Sequence, residues 1–163
     1  MILKEIRETV RIIKQYYPGL SALDVLNELK VVTSFLVDTT ETKLPDGCYF
    51  KLDNVKFVLI NPSLSEHERN RVYAHELGHA LFHPNINTLN LENYDKLFVK
   101  KLELEADKFC CEFLLDDNVF SAYEGYSNSE IAKIFGITTE LVDLKFNNLD
   151  KLNLIEKTNF SVI

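Results

Sequence analysis

Apolar positions along the first seventeen residues recur every three to four: Leu3, Ile6, Val10, Ile13 and Tyr17. That spacing predicts an amphipathic helix over 3–17, which Pro18-Gly19 ends. Ser21 then precedes "ALDVLNELK", a short second helix. The period changes after it. "VVTSFLV" (31–37) is β-branched and predicts a strand, and "TTETKLPDG" (39–47) has the composition of a loop. "CYFKL" (48–52) and "KFVLI" (56–60) flank Asp53-Asn54 and predict an antiparallel hairpin that Asn61-Pro62 stops.

Helical periodicity returns at Ser65. Ser65 and Glu68 have the spacing of a capping box, opening a helix that runs through Arg71, His75 and His79. Pro84 disfavours helical geometry at His83, so the helix should end there. Residues 85–96 read as loop. From about Leu97 a second long helix carries "FVKKLELEADKFCCEFLL", with Leu102, Ala106, Phe109 and Phe113 on one face, and Asp116-Asp117-Asn118 ends it. From Ser127, "SNSEIAKIFGITTELVDLKFNNL" predicts two short helices joined at Gly136. Helices around a small antiparallel β-sheet make this an α+β chain.

The composition agrees with that class. At 163 residues, 46% of them apolar and 26% charged, the chain has the length and make-up of one soluble domain with a real core. A formal charge of -7 argues against a general nucleic-acid binder, although an acidic protein can dock onto a basic DNA-binding partner. Three cysteines, two of them adjacent (Cys110 and Cys111), fit neither a disulfide framework nor a CxxC zinc site, and point to a reducing cytoplasm. Cys110 and Cys111 are read as small buried residues. The N-terminal stretch is charged throughout, unlike a signal peptide, and no apolar run approaches the length of a membrane span.

The candidate chemistry lies in "RVYAHELGHALFHP" (71–84), which holds three of the four histidines. Positions i and i+4 share one face of a helix, so His75 and His79 can aim at one ion. Glu76, about 100° further round, is placed to take a proton from water polarised by that ion rather than to bind it. A catalytic zinc needs a third protein ligand. His83 lies eight residues from His75, about 12 Å along a straight helix, too far to share an ion. The glycine and histidine of an HExxHxxGxxH arrangement are replaced here by Phe82 and Asn85. Glu103 on the next long helix is the better third ligand, with Asp107 one turn away to hold a histidine's other ring nitrogen. Glu105 is the rival ligand, but it falls about 200° from Glu103 and is expected to face water. Alternatively, all three carboxylates form a solvated face.

"AHELGHALFH" followed by "ELEADKFCCEFLL" (Glu103 to Leu115) resembles the ImmA/IrrE family of metallo-endopeptidases. The resemblance extends to the lead-in "GCYFKLDNVKFVLINPSLSEHERNRVY" and to the tail. It implies a zincin-like metallopeptidase core over 1–118, one zinc per chain on His75, His79 and Glu103, and Glu76 as general base. The family often has Asn or Ser where this chain has Asp107. It also implies an anti-repressor that cleaves a cognate helix-turn-helix repressor, often on phages and integrative elements. The rival reading is a non-catalytic anti-repressor that binds its partner stoichiometrically around a structural zinc.

Transition-state stabilisation in zinc peptidases often comes from a Tyr or His beyond the ligands. His83 and Tyr94 are candidates, with Tyr73, Tyr123 and Tyr126 behind them. Gly78 within the metal helix suggests close packing against the sheet or an incoming peptide. The tail, 119–163, has helix-turn-helix spacing, yet six acidic residues against four lysines suit a packed or partner-recognising subdomain better than a DNA reader.

Overall fold

A computed structural model describes residues 3–37 and 44–155. Residues 39–43 of the expected loop and 156–163 of the expected tail lie outside the described residues. Helix α1 (Leu3–Tyr16) and α2 (Ala22–Glu28) precede the strands β1 (Val32–Phe35), β2 (Gly47–Leu52) and β3 (Val55–Ile60). The long helices α3 (Glu66–Phe82) and α4 (Lys96–Leu114) follow, then α5 (Val119–Ala122), α6 (Asn128–Phe135) and α7 (Thr139–Lys151). None of these helices is long and apolar enough to cross a membrane.

Local chemistry explains most boundaries. Ser21, Ser65 and Ser127 each accept a hydrogen bond from the backbone N–H three residues on, while the carboxylates of Asp24, Glu68 and Glu130 accept one from the serine N–H, so α2, α3 and α6 all open with capping boxes. The hairpin turns at Asp53 and Asn54, both at positive φ (48° and 67°), the conformation a two-residue hairpin loop needs. Gly136 closes α6 at φ 64°, and a methyl there would lie 2.6 Å from His67 Cβ. Positive φ and crowding both require glycine at that position.

The sheet differs from expectation. Its order is β1-β3-β2, with β2 antiparallel to β3 but β1 parallel to β3, in register from Val32 opposite Phe57 to Phe35 opposite Ile60. It is a mixed sheet, not a purely antiparallel one. The chain leaves β1, passes to the far side, and returns through the hairpin so that β3 enters between its neighbours. Hydrophobic alternation assigns faces but carries no strand direction, so the sequence pattern was blind to this. A second difference lies between the long helices, where 85–96 is not plain loop. Thr88–Asn93 forms a 3-10 segment that Asn87 caps at its start.

Helix α3 packs on β2, β3, α2 and α4. Val72, Ala74, Leu77 and Ala80 join Tyr49, Val58 and Ile60 of the sheet, Phe109 and Cys110 of α4, and Ile6 and Val10 of α1 in the main core. Gly78 lets α3 and α4 approach, since a methyl there would lie 3.2 Å from Ala106 Cα. The close neighbour is thus α4, neither the sheet nor a peptide. A second apolar cluster joins Leu115, Val119, Phe120, Ile131, Ala132, Val142 and Leu149 across the tail. Cys48, Cys110 and Cys111 are buried and unpaired.

Candidate metal centre

The close α3–α4 crossing brings three sequence-distant donors together. One ligand atom from each of His75, His79 and Glu103 lies within 4.8 Å of the other two. The Nε2 atoms of His75 and His79 are 3.1 Å apart. Glu103 spans the pair, with Oε2 3.3 Å from His75 Nε2 and Oε1 3.4 Å from His79 Nε2. Asp107, one turn further on α4, is 2.9 Å from His75 Nδ1. Two imidazoles and a carboxylate are a donor set that suits zinc.

Glu76 is buried, and its Oε2 has no hydrogen-bond partner among the described residues. An ionised oxygen without a partner is costly in a dry interior, so this atom fits a site that is completed by a further group. Burial raises the Glu76 carboxyl to about 7, with His75 opposing and Glu103 adding to the rise. The neighbouring groups interact strongly with one another. Burial works against a charge on His75, yet its hydrogen bonds to Asp107 and Glu103 lift it to about 10. Burial likewise opposes ionisation of Glu103, and the two histidines nevertheless hold it well below the usual carboxylate range. Burial lowers His79 and His83.

These groups line a cleft of about 330 Å³ between α3, α4 and the start of β2. Its mouth holds residues that sequence reasoning missed. Arg71, one turn before His75, pairs with Asp46 at 2.7 Å; the same i, i+4 spacing would have found it. Gly47 packs under this rim, where a methyl would strike Val72 and come within 3.2 Å of Glu76 Oε1. Thr88 also lines the cleft, and its hydroxyl accepts from Tyr49 N (2.7 Å) and donates to Tyr49 O (3.1 Å). Nothing in an irregular stretch signalled that contact.

Other expectations fare differently. Glu105 does not face water: it is buried, with Oε2 3.0 Å from His83 Nε2. The helix wheel placed it opposite Glu103, and the C-terminal turn of α3 occupies that side. His83 is not in the cleft either. It stands behind His79, their Nδ1 atoms 2.9 Å apart. Tyr94 packs against Phe98 and does not line the cleft. Tyr73 packs on the main core, while Tyr123 and Tyr126 meet edge to face in the tail.

Comparison with known proteins adds to this geometry. The family described as the IrrE N-terminal-like domain (Peptidase_M78) matches residues 33–147. The chain is 39% identical over 100 residues to a protein of Bacillus phage phi105 called uncharacterized immunity region protein 2, covering 60% of this chain and 63% of that one. It is 33% identical over 82 residues to metallopeptidase ImmA of Bacillus subtilis (strain 168), covering 48% of each. The chain thus spans about half to two-thirds of the length of these relatives.

Proposed function

The chain belongs to the ImmA/IrrE family, and on that premise we propose that it is a zinc-dependent endopeptidase acting on a protein substrate of narrow choice. The observation that carries this reading is the convergence of His75, His79 and Glu103 beside a buried carboxylate, Glu76, with an unpartnered oxygen. His75, His79 and Glu103 hold the metal, and Asp107 orients His75. Zinc, when bound, supplies a Lewis acid that polarises the carbonyl and brings the pKa of its water toward about 7.

The rest of the chemistry belongs to the chain. Glu76 accepts a proton as the water oxygen bonds to the scissile carbonyl carbon. As the C–N bond breaks, Glu76 returns that proton to the leaving amine. Burial strengthens the hold of Glu76 on a proton, which suits a group that must take one and give it back. Arg71 and Asp46 offer one charge of each sign at the rim, where a substrate segment would be held.

We assign the substrate as a helix-turn-helix repressor carried by the same mobile element. The phage relative named for an immunity region supports this assignment. So does the acidic charge of the chain, which complements a basic DNA-binding protein. The α6–α7 pair then serves as a packed or partner-recognising segment and not as a DNA reader.

The test is to co-express the repressor encoded beside this gene with wild type or with Glu76→Gln, then to blot for repressor fragments and follow a reporter. Cleavage by wild type alone supports the reading. Derepression by both proteins, with the repressor intact, would replace it with stoichiometric binding.

A further inference from the structure

We propose that His83 and Glu105 form a positioning relay behind His79, which fixes the tautomer that leaves His79 Nε2 bare for the metal. This rests on the metal-site reading above and concerns two residues which that reading does not use.

The two ring nitrogens of His79 face opposite ways. Nε2 points into the cleft toward His75 and Glu103, whereas Nδ1 points away, 2.9 Å from His83 Nδ1. Two imidazole nitrogens at that distance form a hydrogen bond only if one carries the proton and the other a lone pair. The far end of His83 decides which. Its Nε2 lies 3.0 Å from Glu105 Oε2, and an ionised carboxylate only accepts. His83 therefore carries its proton on Nε2 and donates it to Glu105, leaving Nδ1 as an acceptor. The proton between the rings then belongs to His79 Nδ1. The carboxylate of Glu105 thus selects, through an intervening ring, which atom of His79 is unprotonated.

Water does not compete with this chain. His79 is 1% exposed, His83 6% and Glu105 7%. The backbone holds His83 in place as well. Pro84 stops α3 just after it, the Tyr49 hydroxyl donates to Pro84 O at 2.9 Å, and Ile86 N donates to His83 O at 2.9 Å. The two histidine ligands thus have different supports. His75 has a carboxylate in direct contact, Asp107, while His79 reaches Glu105 through a second imidazole. Helix α4 supplies both sides of the site, with Glu103 in the cleft and Glu105 behind it. A carboxylate that orients a ligating histidine is a common arrangement; here it acts at one remove.

The first measurement is the ring ¹⁵N spectrum of the histidines in zinc-loaded wild type. The relay requires His83 as the Nε2–H tautomer and His79 protonated on Nδ1. A His83 protonated on Nδ1 would overturn it. The second is zinc affinity by competition with a chromophoric chelator, alongside circular dichroism to check folding. His83→Phe and Glu105→Leu should each bind zinc about 10–100-fold more weakly, and Glu105→Gln, which keeps an accepting oxygen, should recover most of the loss. Wild-type affinity in both His83→Phe and Glu105→Leu would sink the relay and leave the metal site intact. Absence of zinc from wild type would instead remove the metal reading itself. If His83→Phe fails to fold, the wild-type spectrum still decides.

Discussion

Replacing Glu76 with Gln keeps the size of the side chain and removes its proton acceptor. Because Glu76 is not among the three converging donors, Glu76→Gln should retain about one zinc per chain by elemental analysis. Its cleavage rate should fall by roughly 10²–10⁴-fold, the usual contribution of a positioned general base. Glu103→Ala makes the opposite prediction: it removes the carboxylate that spans both imidazoles, so zinc content after dialysis should fall well below that of wild type. Retention of full zinc in that variant would shift the third ligand elsewhere. At this scale the sequence was most informative where chemistry is local. The i, i+4 spacing of His75 and His79 is a property of one helix and needs no tertiary knowledge. Glu105 was misread because a helix wheel gives angles but does not say what lies opposite. The occupant there, His83, arrives from another helix.

Helices α3 and α4 must approach closely for Glu103 to reach both histidines, and Gly78 sets that approach. A side chain at this position would press on the backbone of a nineteen-residue helix, which has little freedom to yield. Gly78→Val should therefore destabilise the protein by about 1–3 kcal/mol, as overpacking does, read from the urea midpoint. It should also weaken zinc binding, although the added side chain would meet Ala106 and Phe109 of α4 and none of the three ligand side chains. Unchanged affinity in a destabilised variant would show that the site tolerates a wider crossing. Capping boxes and periodicity made the helices legible, because both are encoded within a few residues. The parallel pairing of β1 with β3 was not, because it depends on which side of the hairpin a distant strand joins. The four-residue α5 and the 3-10 turn at Thr88–Asn93 were also beyond reach, being too short for a repeating pattern.

Across the whole molecule, charges that look ordinary in the sequence are buried together. Lys145 of α7 is 1% exposed and bonds Glu112 (2.7 Å) and Asp117 (2.8 Å), while Arg7 of α1 reaches the same two carboxylates. Lys145→Met leaves Glu112 to Arg7 and Asn148, and should cost about 3 kcal/mol in a urea titration. The acid response follows from Asp117. Burial opposes its ionisation, but bonds from Arg7 and Lys145 lower it from 3.8 to about 2. A lowered folded-state pKa stabilises above the unfolded value, and that stability is lost as pH falls through about 2. Solvent screening at this half-exposed group limits the contribution to about 1 kcal/mol. The steepest loss should lie between pH 4 and 2 and be absent from Asp117→Asn, as read by thermal melts across that range. None of this was legible in sequence, where Arg7, Glu112 and Lys145 stand far apart. One more consequence concerns how the protein comes apart. Leu141 of α7 belongs to the main core, although its neighbour Val142 belongs to the tail cluster. The last helix therefore ties the tail's own apolar cluster to the main core. Heating should give a single calorimetric peak whose measured enthalpy matches the van't Hoff value, with the tail and helices α3 and α4 lost in one event.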